Sequence, residues 1–97
     1  MTDRPDLEAR WFALTRREMP AAALARGWPV RFDHCFQRIL LDNACERPWR
    51  EAIEPPAYRN APAAVLHKAI ALGEAALAGE ADLAAMNRRS LKLRGKL

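Results

Sequence analysis

An all-α single domain is what this sequence predicts, on three observations. Half of the 97 residues are apolar, and alanine dominates that half while valine, isoleucine and threonine are few. That balance favours helix over strand. Apolar positions recur at three- and four-residue steps in several stretches, and no stretch alternates as a half-buried strand would. Finally, prolines and glycines punctuate the boundaries of those stretches. A chain of this length buries somewhat more than about 60% of its extended surface, enough for one modest core. A bundle of about four to five helices over residues 1–97 follows.

The first helix is expected to begin at Thr2 or Asp3, either of which can cap it, with Pro5 tolerated in the first turn and Asp6 and Glu8 near its positive end. Leu7, Trp11, Phe12 and Leu14 form its buried side, whereas Arg10, Arg16, Arg17 and Glu18 read as a solvated face. Pro20 predicts a kink or break after Met19. A short second helix, Pro20 to Arg26, then ends at Gly27, the residue type that best tolerates a left-handed cap. Trp28, Pro29 and Val30 make an ordered connector, and Phe32 is expected to fold back on the helix that follows.

That next helix, 34–45, is the predicted centre of the molecule. Asp33 is a suitable N-cap, Pro48 cannot continue the helix, and Phe36, Ile39, Leu40 and Ala44 share one face that Leu41 widens. His34, Arg38 and Asp42 lie at four-residue steps and form a polar row beside the apolar stripe. Because their neighbours must be buried, Arg38 and Asp42 are expected to be partly buried and linked to each other or to backbone groups of the Trp49 to Tyr58 segment.

Pro48 to Ile53 predicts one or two helical turns ended by Pro55-Pro56, with Trp49 as a core anchor, and Ala57 to Asn60 reads as an extended loop. The second core helix, 62–78, presents Val65, Leu66, Ala69, Ile70, Leu72, Ala76 and Leu77, and Gly73 on it permits close approach of a neighbour or a symmetric dimer. A last helix, 81–91, buries Leu83, Met86 and Leu91, leaving 92–97 as a frayed basic tail.

Charge narrows the function classes. The net charge of +4 is concentrated at the end: residues 1–87 carry 11 Lys and Arg against 12 Asp and Glu, while Arg88, Arg89, Lys92, Arg94 and Lys96 face no acid in the last ten residues. Arg88, Arg89 and Lys92 are the candidate phosphate contacts of that tail, although cations there also suit a helix C-terminus. Nucleic acid is therefore not the expected partner. No run reaches the roughly 20 apolar residues of a membrane span and the start is polar, so a cytoplasmic location without membrane contact is expected.

The chemistry-bearing residues are few. Cys35 and Cys45 would lie about 15 Å apart along one helix, too far for a disulfide. Neither they nor His34 and His67 show the spacing of a metal site, so no metal and no cofactor is expected. Cys35, near a helix start and next to His34, fits a small buried hydrophobe better than a nucleophile. There is no phosphate-cradling GxxxxGK[ST], no GxGxxG, no GxSxG and no HExxH.

The block Asp33-His34-Cys35-Phe36, Arg38-Ile39, Leu41-Asp42-Asn43-Ala44 and Trp49, together with Asn87-Arg88-Arg89-Ser90-Leu91, resembles a group of small helical chains grouped with the GCN5-related N-acetyltransferases. The resemblance spans much of residues 31–91 and implies an acyltransferase-associated role. The GCN5-type fold holds the acetyl-CoA pyrophosphate with an [RQ]xxGx[GA] loop on a central sheet, and this chain has neither that loop nor a strand pattern. No catalytic residue is carried over. The residues themselves point to a small helical module that binds a protein or a small polar ligand, as a monomer or homodimer, with His34, Arg38 and Asp42 as its candidate site.

Overall fold

The computed structural model describes residues 3–97, which are 69% helical overall with no strand among them. The all-α reading holds. The expected cap at Thr2 lies outside the described residues. Helix α1 (Arg4–Phe12) starts after an extended Asp3 that makes no side-chain cap, and has proline in its first turn. It does not break at Pro20. A π-helical segment, Ala13–Glu18, leads directly into α2 (Met19–Ala23), and the Met19 N–H bonds back five residues to the Leu14 carbonyl. In an α-helix the Pro20 ring would clash with the carbonyl four residues earlier. The wider turn just upstream shifts the register by one residue and carries the chain past Pro20 as a helix. The helix then ends at Ala23 rather than Arg26, and Gly27 takes the expected left-handed conformation at φ 63°.

Helix α3 (Asp33–Cys45) is central: α5 (Ala63–Leu77), α6 (Leu83–Leu93) and the π segment all pack on it. Phe36, Ile39, Leu40 and Leu41 are fully buried, as the three- and four-residue steps predict. Its start differs from expectation. Phe32, not Asp33, is the N-cap, and Phe32 is 66% exposed and stacked on His34 instead of folding back on the helix. At the other end the helix stops at Cys45, as expected, where Glu46 adopts a left-handed conformation at φ 58°.

A 3-10 turn at Trp49–Glu51 follows, and Ile53 is buried. Ala57–Asn60, expected to be extended, forms a single helical turn, α4. Tertiary contacts override local signals there: Arg4 donates to the carbonyls of Tyr58 (2.6 Å) and Ala61 (2.7 Å), fastening the turn to the start of α1. In α5, Gly73 lies against Leu14 and Leu40, and a Cβ placed on it would sit 2.6 Å from Leu14 Cδ2. Gly73 is buried and serves packing within the chain. Arg26 donates to the carbonyls of Ala76 and Leu77 at the end of α5, where helix carbonyls run out of helical N–H donors. Asp82 caps α6 by accepting from the Ala85 N–H at 3.1 Å. That helix continues to Leu93, past the point where fraying was expected to begin, and the next side chain, Arg94, is anchored in the interior.

Candidate functional site

The polar row on α3 is divided by depth. Asp42 is fully buried, Arg38 half-buried, and the His34 side chain 77% exposed. Asp42 is a buried carboxylate with four donors: the Trp49 N–H (2.9 Å), the Ser90 hydroxyl (2.6 Å), and Nε (2.6 Å) and Nη2 (3.0 Å) of Arg94. Both oxygens are satisfied, which is what makes an ionised carboxylate tolerable away from water. The expected link to the Trp49 segment is present through that N–H. A direct pair with Arg38 is not: Arg38 reaches Asp42 through Ser90.

Arg38 donates to Ser90 Oγ (2.7 Å) and Asn87 Oδ1 (2.8 Å), so α6 aims its guanidinium with two neutral acceptors. Among the described residues no carboxylate pairs with it. Asp42 thus neutralises Arg94, and the group Arg38–Ser90–Asp42–Arg94 keeps one surplus positive charge. The Arg94 pKa is raised, chiefly by its hydrogen bond to Asp42 and against the opposing effect of burial. That guanidinium is charged at every pH the fold meets.

The surplus charge faces a cleft of about 560 Å³ between the π segment, α3 and the segment from Trp49 to Tyr58. Small-molecule sites commonly span about 300 to 1,000 Å³. Buried Trp11 and Leu41 lie at its base, half-buried Phe12, Trp49 and Tyr58 form walls, and Pro55 and Pro56, joined by a cis bond, complete one side. Its charged lining consists of Arg16, Arg38, Arg50 and Arg94, with His34 and Gln37 as further polar groups and no acid. Arg16 sits over the Phe12 ring at 3.9 Å and only 4.0 Å from Asp33 at an exposed position, where such a pair is weak. Arg50 lies over the Trp49 ring at 5.2 Å. Gln37 is fixed by donating to Thr15 Oγ1 (3.1 Å), and Thr15 of the π segment in turn donates to the Trp11 carbonyl of α1 (2.9 Å).

Of the sequence candidates, His34 and Arg38 line this cleft and Asp42 supports it from behind. Arg88, Arg89 and Lys92 are exposed and do not line it; Arg89 instead pairs with Glu46 at 3.2 Å. Trp49, expected as a core anchor, is a half-buried wall. Sequence reasoning missed Arg16, Arg50, Asn87 and Ser90, and placed Arg94 in the tail. Only Asn87 and Ser90 left a signal, lying four and seven residues beyond Leu83 and so on the face of α6 that Leu83 buries. Both cysteines are free thiols, and burial followed by the Asp42 charge pushes the Cys45 thiol up, so neither feature makes it a nucleophile. Among the described residues no three His, Cys, Asp or Glu side chains converge as metal ligands would. No protein-family model, no curated protein and no solved structure matches the chain.

Proposed function

We propose that this protein is a binding module whose cleft takes a small anion carrying a flat apolar body. The observation that carries the reading is a concave site whose charged lining is arginine alone, with Arg38 held by neutral partners and its charge left for a ligand. Guanidinium groups match carboxylates and phosphates in a planar, bidentate fashion, and aromatic walls accept a flat ring. Asp42 has a structural part in this reading: it compensates Arg94 so that the arginines do not repel one another out of the site. The supporting groups lie on packed helices, which holds Arg38 in place before a ligand arrives.

Calorimetric titration with phenyl phosphate, with benzyl alcohol as a neutral counterpart, tests the reading. Expected are binding of the anion that weakens as salt is raised and none of the alcohol. Equal binding of both, or of neither at low ionic strength, would sink it. The acyltransferase-associated alternative comes from the resemblance alone, and it would use the same arginines, since acetyl-CoA is itself an anion with a flat ring system. Micromolar binding of acetyl-CoA, with phenyl phosphate at least about a hundredfold weaker, a gap of roughly 2.7 kcal/mol, would favour that alternative.

A further inference from the structure

On another face of the bundle, between α5 and α6, lies a second cavity of about 350 Å³ that the arginine cleft does not include. Its walls are apolar, made by Leu72, Ala81, Ala85 and Met86, and Lys68 and Arg89 stand at its edge. One polar group lines it from within: Asn43, which is 4% exposed.

The orientation of the Asn43 amide is set by its neighbours. Its Nδ2 donates to two backbone carbonyls, Ile39 at 2.8 Å and Met86 at 3.0 Å. A flipped amide would set an oxygen against two oxygens, so the amine must face them and the Oδ1 must face away. Among the described residues no donor reaches that oxygen, and since no fully occluded side-chain polar atom lacks a partner, it keeps some exposure on a residue that lines the cavity. An acceptor in a nearly buried apolar setting is costly to leave unmatched. The rim adds charge of one sign: Lys68 has no carboxylate partner among the described residues, whereas Arg89 is engaged with Glu46.

The geometry points to a second small-molecule site, for an amphiphile with a hydrogen-bond donor at one end, an apolar one- or two-ring body, and an anionic group at the other. The donor, a hydroxyl or ring N–H, meets Asn43 Oδ1; the body lies against Leu72 and Met86; the anion meets Lys68. This site shares no lining residue with the arginine cleft, so its assignment stands or falls independently of the function proposed above.

The test is a titration of the full-length, isotope-labelled protein with 6-hydroxy-2-naphthoate, followed by amide chemical shifts. Saturable shifts are expected at the Asn43 side-chain amide and at Leu72, Ala85 and Met86. The 6-methoxy analogue, which lacks the donor, should bind about tenfold or more weakly, the scale of one hydrogen bond lost at a buried acceptor. Asn43→Ala also cuts the tie between α3 and α6 and can unfold the chain. Ala85→Trp therefore supplies the second variant, filling the cavity from a half-buried position and expected to abolish the shifts while leaving the rest of the spectrum folded. The proposal is overturned by absence of saturation at millimolar probe, which would mean that water alone meets Oδ1, by equal affinity of the methoxy analogue, by binding that survives Ala85→Trp, or by shifts confined to Arg38 and Trp49.

Discussion

Asp42 is where a single side chain decides most. Its carboxylate ties α3 to the Trp49 turn, to Ser90 of α6 and to Arg94 beyond it. Removing one partner of a buried ion pair costs about 3 to 5 kcal/mol, because the remaining charge is stranded. A domain of this size is stable by only about 5 to 15 kcal/mol. Asp42→Ala is therefore expected to remove a large share of the stability, measured as a fall in the urea midpoint; a loss below about 1 kcal/mol would show that the pair acts as an exposed one does. Cys45 offers a pH test with a definite sign. Its thiol is raised in the fold, chiefly by burial, so below the ordinary thiol range of about 8.5 both folded and unfolded chains are protonated and nothing is lost. As pH rises above that range the unfolded chain ionises first, and stability declines until the folded pKa is passed. Urea melts across that range should show the decline in the parent chain and not in Cys45→Ala. Burial of Asp42 was legible from its four-residue step with Arg38 and its apolar neighbours. Arg94 as its partner was not, since 52 residues separate them and five cations near the chain end look alike in sequence.

At the scale of elements, the long periodic helices α3 and α5 are readable because burial of a wide apolar face fixes them. Boundaries and short turns carry no periodic signature. The π segment lies just before Pro20, the helical turn at Ala57–Asn60 is fastened by Arg4 of α1, and α3 ends at a non-glycine residue, Glu46, in the left-handed region. Gly73 is a case where the sequence signal was real and its use different: the close approach is between α5, Leu14 and Leu40 of the same chain. Gly73→Ala should gain about 1 kcal/mol in helix propensity and lose about 1 to 3 kcal/mol by overpacking a filled core. A net destabilisation on the order of 1 kcal/mol in the same urea experiment is expected. A more stable variant would mean that Leu14 can move aside without cost.

The whole molecule separates its charges in a way that neither the net charge nor the tail reveals. Carboxylates are spent on structure, as with Asp42 on Arg94, Asp82 on its helix and Glu18 and Glu74 on Arg10, while Arg16, Arg38 and Arg50 face one cleft. Those arginines come from three separate segments, so their convergence depends on the fold and could not be read from the chain in order. The central claim, that this cleft and not the basic tail is the anion site, is tested most directly by titrating phenyl phosphate into Arg38→Gln and Arg88→Gln side by side. Glutamine at position 38 removes the charge and can keep one of the two hydrogen bonds to α6, and Arg88 is exposed outside the cleft. Affinity should fall about tenfold or more in Arg38→Gln, the scale of a charged hydrogen bond, and stay unchanged in Arg88→Gln. Binding retained by Arg38→Gln and lost by Arg88→Gln would contradict the account.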